Sequence, residues 1–186
     1  MNDVFANKSI LLGVSGGIAA YKAAALASRL TQRGALVDVV LTEGAMRFVT
    51  PLLFASLTHR QVHASLWEED RRPGHIALAE RPHLIVVAPA TANTMAKLAA
   101  GIADNLLTSA LLATRKPILL APAMNSGMWE APATRRVVAT LRSDGRSFVG
   151  PATGNLACGD KGIGRMAEPD EILAAMEELL TEGTSE

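Results

Sequence analysis

The 186-residue chain has no surplus of charge: 18 Lys and Arg residues stand against 18 Asp and Glu. That balance removes the electrostatic argument for a nucleic acid or an anionic membrane surface and leaves a small molecule or another protein as partner. No apolar run approaches the roughly 18 residues of a membrane span, and no basic segment precedes an apolar one at the N-terminus. The expected setting is the cytoplasm. There is one cysteine, Cys158, which excludes an intramolecular disulfide and leaves that residue either an inert small hydrophobe or a working thiol. No pair among His59, His63 and His83 has the spacing of a metal site, and no metal is expected. No internal repeat is present, and no break looks like a domain linker.

The length suits one domain over residues 1–186, large enough to bury about two-thirds of its unfolded surface. Short apolar runs alternate with helical patterns. Strands are expected at residues 9–15, 36–42, 84–90, 117–123 and 147–150, and runs such as "LIVVA" and "ILLA", apolar at nearly every position, suit strands buried on both faces of a parallel sheet. Helices are expected at residues 18–33, 95–114 and 133–143, with a last one at 169–180. This alternation predicts an α/β fold, a three-layer doubly wound parallel sheet of Rossmann-like or flavodoxin-like type, with ligands beyond the C-terminal strand ends. The stretch at residues 150–170, rich in glycine and charge, reads as a loop.

Those strand ends carry unusual chemistry. The first runs through "GVSGGIAAYK" into a helix, so backbone N–H groups and the helix dipole can meet a phosphate; the spacing is not the dinucleotide fingerprint, and a tight turn without a ligand explains it equally well. The second ends in "LTEG". The third, "APATANTMAK", packs Thr91, Asn93 and Thr94 into a turn where one cap would suffice. The fourth, "APAMNSGMWEAP", brings Asn125 and Trp129 to the same edge, although Asn125 also reads as a turn residue and Met124, Met128 and Trp129 as core filler.

Taken in order, "SGGIAAYK", "GHIALA", "PATANT", "PAMNSGMW" and "ACGDKGIGRM" resemble the motifs of the homo-oligomeric flavin-containing cysteine decarboxylases, most closely those acting on phosphopantothenoylcysteine in coenzyme A synthesis. The likeness covers residues 8–178. One motif departs from the usual PASANT, but Thr91 keeps the hydroxyl. Bacterial members are commonly fused to a C-terminal phosphopantothenoylcysteine synthetase domain, which these 186 residues do not include; a fused or separate synthetase is an expected partner.

The resemblance implies a lyase that binds FMN and converts 4'-phosphopantothenoylcysteine to 4'-phosphopantetheine. A carboxylate next to an amide-bearing carbon has no electron sink, so oxidation of the thiol-bearing carbon to a thioaldehyde must precede loss of carbon dioxide, and the resulting enethiolate is then reduced. By this resemblance His75 is the base for the thiol proton, a role that a neutral histidine near a helix N-terminus suits. Asn125 binds the substrate carboxylate, assisted by the Met124 backbone; a neutral amide avoids over-stabilising a group that has to leave. Cys158 donates a proton in the second half-reaction, a task for a mostly protonated thiol on a glycine-hinged flap. Lys161 and Arg165 of that flap either meet a charged group or are solvated loop charges. FMN contacts carry over to Ser15, Gly16, Gly17, Ile18 and Ala19, to Thr42, to Thr91, Asn93 and Thr94, and to Ala123. The family assembles as trimers or trimers of trimers, up to a dodecamer, with the flavin at a subunit interface, so His75 and Asn125 of one site can come from different chains. Rival readings are a peptidyl-cysteine decarboxylase that stops at the enethiol and needs no such cysteine, a flavin prenyltransferase, a non-catalytic regulatory flavoprotein and a plain nucleotide-binding module.

Overall fold

A computed structural model describes residues 3–67, 74–155, 159 and 161–182. Six strands, β1 (Ser9–Val14), β2 (Leu36–Leu41), β3 (Val62–His63), β4 (Leu84–Ala90), β5 (Ile118–Pro122) and β6 (Ser147–Phe148), form one sheet in the order β3-β2-β1-β4-β5-β6. Every pairing in it is parallel. This is the Rossmann order, and it puts the switch point between β1 and β4, where a crevice opens beyond the strand ends.

The runs that are apolar at every position are explained by two cores, one on each face. Along β1, Ile10, Leu12 and Val14 join one buried cluster while Leu11 joins the other; along β4, Leu84, Val86 and Ala88 face one way and Ile85 and Val87 the other. Each such side chain contributes about 1.5–3 kcal/mol by leaving water. The helices α1 (Ala20–Gln32) and α8 (Pro169–Glu182) cover the first face through Leu26, Leu30, Ile172 and Met176. On the second face lie α4 (Ala92–Ala99), α5 (Leu106–Ala113) and α7 (Pro132–Ser143), through Leu98, Leu107, Leu111 and Leu141.

The expected helix over residues 95–114 is in fact two helices. The chain turns after Ala100, Lys97 Nζ meets Asp104 Oδ2 at 2.5 Å, and Asn105 starts α5 with a capping box in which its Oδ1 accepts from Thr108 N at 3.0 Å. A second N-cap inside an apolar pattern is a stop-and-restart signal. Two helices lie outside the expected set, α2 (Pro51–Thr58) and the single turn and a half of α6 (Ser126–Glu130), whereas α3 (Gly74–Glu80) begins beside His75, where a helix start was expected. The stretch expected as a loop contains an antiparallel hairpin, β7 (Ala152–Asn155) with β8 (Lys161–Arg165), separate from the main sheet. Among the described residues no helix is long and apolar enough to cross a membrane.

Candidate functional site

At the C-terminal end of β1 the chain passes through Ser15, which is fully buried, into the turn that opens α1. No side chain caps α1 and no acidic residue occupies its first turn, so the helix presents backbone N–H groups and a favourable dipole to a ligand. Gly16 is required by close approach: a Cβ there would stand 2.7–2.9 Å from the backbone of Gly44. The ends of β1 and β2 therefore touch through glycine backbones, and only a residue without a side chain leaves this floor flat.

Ser15 binds this turn to the end of β4. Its Oγ donates to Pro89 O at 2.7 Å, accepts from Thr91 N at 3.0 Å and lies 3.1 Å from Thr91 Oγ1. Thr91 is the N-cap of α4, its hydroxyl accepting from Thr94 N at 3.4 Å and sitting 3.2 Å from Thr94 Oγ1. The cap and the hydroxyl ladder use Ser15, Thr91 and Thr94 together, while Asn93 remains exposed. Thr42 acts on the neighbouring turn, where its Oγ1 accepts from Ala45 N at 3.2 Å.

At the end of β5, Ala123 N donates to Ala90 O at 3.1 Å, and Asn125 caps α6 by accepting from Gly127 N at 2.8 Å. Asn125 is exposed and lies on the cavity, with its side-chain oxygen engaged in the cap. The Met124 N–H is taken by Gly164 O of the hairpin at 3.0 Å. Met124 and Trp129 pack against the core, whereas Met128 is half exposed.

The hairpin rests on this loop with very little clearance. A Cβ on Gly164, whose φ is +137°, would lie 2.2 Å from Met124 O, and one on Gly162 would lie 2.3 Å from Ser126 Oγ. Beyond the hairpin the chain brings Glu168 back to α1, where Lys22 Nζ meets its Oε1 at 2.7 Å and Met166 O at 3.4 Å. The hydrogen bond from Lys22 holds the Glu168 carboxyl below its usual value, aided by the charges of Lys22 and Arg165 and opposed by partial burial.

These elements enclose one cavity of about 860 Å³, within the size range of small-molecule and cofactor sites. It collects Gly16, Gly17, Ile18 and Ala19 from the first turn, Thr91, Asn93 and Thr94 from the third, and Ala123, Met124 and Asn125 from the fourth. Neither Ser15 nor Thr42 lines it: Ser15 braces the wall from behind through Thr91, and Thr42 lines a smaller neighbouring pocket. His75, half-buried near the start of α3, is not among the described residues lining the cavity. Cys158 lies outside the described residues. Sequence reasoning passed over Tyr21, Lys22, Gly44, Met128, Asn155 and Glu168, which also line the cavity. Tyr21 and Lys22 were findable, since they follow Ile18 at helical spacing of three and four residues; Glu168 carries no local signal. A flat glycine floor, an apolar wall, an uncapped helix start and a few convergent polar groups suit a planar heteroaromatic ligand carrying a phosphate.

Comparison with known proteins agrees with that chemistry. The Flavoprotein family model matches residues 3–181. The chain is 48% identical over 181 residues to the coenzyme A biosynthesis bifunctional protein CoaBC of Bacillus subtilis, covering 96% of this chain and 45% of that one. It is 45% identical over 175 residues to the same bifunctional protein of Mycolicibacterium smegmatis, covering 94% of this chain and 42% of that one. It thus spans less than half the length of these relatives. Among solved structures it is similar to a mutant PPC decarboxylase complexed with pantothenoylaminoethenethiol, at a TM-score of 0.84 and 34% identity over 95% of this chain and 99% of that one. It is also similar to the FMN-dependent cysteine decarboxylase SpaF, at a TM-score of 0.82 and 30% identity over 97% and 99%. With its motifs converging on one cavity and the family model matching nearly end to end, the chain belongs to the Flavoprotein family.

Proposed function

We propose that the chain is one FMN-dependent decarboxylase domain acting on 4'-phosphopantothenoylcysteine to give 4'-phosphopantetheine, a step of coenzyme A synthesis carried out in the cytoplasm. The observation that carries this reading is the meeting of three separate motifs, at residues 16–19, 91–94 and 123–125, on one cavity, together with relatives named for coenzyme A biosynthesis and for PPC decarboxylase. FMN fits the residues present: Gly16 to Ala19 and the start of α1 suit its phosphate, and Thr91, Asn93, Thr94 and Ala123 suit a ring edge. When bound, FMN supplies reversible two-electron redox chemistry.

The chain's own residues do the rest. Asn125 holds the substrate carboxylate as a neutral donor, and Met124 fixes the hairpin above it through its bond to Gly164. His75 takes the thiol proton, and Cys158 returns a proton when the enethiol is reduced. Because His75 is not on the wall of its own chain's cavity, this assignment goes together with a homo-oligomer, a trimer or dodecamer, in which a neighbour supplies it. The apolar side chains of Phe48, Leu52 and Trp67, 51%, 75% and 89% exposed, support such a covered surface. The length of the bifunctional relatives supports a synthetase as functional partner, fused or separate.

The deciding experiment is incubation with phosphopantothenoylcysteine and identification of the product by mass. Saturated phosphopantetheine supports the proposal, and unchanged substrate overturns it. The likeness to SpaF keeps one rival open, a cysteine decarboxylase that releases the enethiol; accumulation of that product would decide for it.

A further inference from the structure

Among the described residues lining the cavity there are two cations, Lys22 and Arg165, and one carboxylate, Glu168. The carboxylate is not shared equally. Lys22, nine-tenths buried, holds Oε1 at 2.7 Å, while Arg165 Nη2 stays 3.7 Å from the same oxygen, beyond hydrogen-bond reach. Lys22 is further engaged by Met166 O. Among the described residues Arg165 has no comparable partner, and its Nε, packed against Gly154, is buried without a hydrogen-bond acceptor. With that edge shut off from the cavity, a ligand there meets the exposed remainder of the guanidinium.

The placement of Arg165 is built into the hairpin. Its guanidinium lies across Gly154 on the opposite strand, where a Cβ would come within 2.9 Å of Nε, 3.0 Å of Cζ and 3.2 Å of Nη1. Gly154 therefore makes the bed in which the planar group rests, and the side chain, two-fifths exposed, looks onto the cavity. A guanidinium with one edge against the backbone, its counter-ion Glu168 held more closely by Lys22, and a cavity before it has the form of an oxyanion receptor, because its fork matches the two oxygens of a phosphate.

We propose that Arg165 is the cavity's phosphate anchor, a specificity-determining residue that selects phosphorylated over dephosphorylated ligands, with Lys22 and Glu168 holding the wall from which it reaches. The inference rests on the reading of the cavity as a flavin and substrate site, which offers two phosphate monoesters, that of the flavin and that of the acyl-cysteine substrate.

The test compares binding, by calorimetry, of two ligand pairs to the wild-type protein and to Arg165→Met: FMN against riboflavin, and phosphopantothenoylcysteine against pantothenoylcysteine. The expected result is that one pair loses its phosphate preference by tenfold to a hundredfold in Arg165→Met while the dephosphorylated member binds as before. A change in the first pair assigns the anchor to the flavin, and a change in the second assigns it to the substrate. Arg165→Lys, which keeps the charge without the fork, should recover only part of the preference, and a merely structural role would predict no recovery tied to the charge. If Arg165→Met melts early, Arg165→Gln takes its place. Phosphate preferences equal in wild type and variant for both pairs, including no preference in either, overturn the proposal. Formation of phosphopantetheine alongside unchanged preferences would sink this inference alone, whereas absence of both product and flavin binding would sink the reading beneath it.

Discussion

Met124 and Gly164 are locked together from both sides: the Met124 N–H donates to Gly164 O at 3.0 Å, and the Met124 carbonyl oxygen occupies the place where a Gly164 side chain would begin. The hairpin and the Asn125 loop therefore move as one body. Gly164→Ala must displace one of them and also force a side chain into a φ of +137°. Such overpacking costs about 1–3 kcal/mol, which for this size lowers the melting temperature by about 2–12 °C. Turnover should fall with it; an unshifted melting curve would show that the contact yields freely.

Glu168 gives the pH dependence. Its carboxyl is held below the ordinary glutamate value of 4.5 by Lys22, so the stabilisation is fully present above that value and is lost as pH falls through the lowered folded value. Wild-type protein should lose melting temperature below about pH 4.5 more steeply than Glu168→Gln. At pH 7 the variant, which leaves a buried ammonium with Met166 O as its remaining partner, should be the less stable of the two. Parallel pH curves would remove Glu168 from the account.

Asn125→Asp keeps the cap of α6, because aspartate caps a helix as well as asparagine does, and so isolates the charge. With a carboxylate facing the substrate carboxylate, affinity should drop by at least about a hundredfold. Equal binding constants would place the substrate carboxylate elsewhere.

His75→Asn should reduce turnover by roughly a hundredfold to ten-thousandfold while the protein stays yellow. A near-wild-type rate with bound flavin would take the base assignment away from it.

Cys158→Ser should release carbon dioxide and then stop, leaving the enethiol and a bleached flavin absorbance. Ordinary yields of saturated product would show that the cysteine donates no proton.

Much of this could be read from the chain beforehand, and the gaps have definite causes. Strands β1, β4 and β5 were legible because burial on both faces demands an apolar residue at every position, a pattern that few other structures impose. Strand β3 has two residues, Val62 and His63, too few for any periodicity to register. The break between α4 and α5 was hidden by continuous apolar patterning on either side, although Asn105 and Thr108 held the signal. The hairpin was read as a loop because Gly154, Gly162 and Gly164 have low strand propensity; docking against Met124 and Ser126 is what favours glycine there. Of the candidate site, the motifs on β1, β4 and β5 were found from local composition. Glu168 was not, since its partner Lys22 lies 146 residues away and no local pattern announces such a pairing.

The bonds between Ser15 and Thr91 join positions 76 residues apart, and Ala123 is tied in turn to Ala90. No fragment emerging early from the ribosome can hold a cofactor, because the pocket has no floor until the strands carrying all three turns have been made and paired. Ligand capture is thus the last entry in the chain's folding history. At a hundred times its dissociation constant, a ligand that binds only the finished state adds about 2.7 kcal/mol, so flavin supply sets how long each new molecule survives and colour becomes a gauge of completed assembly.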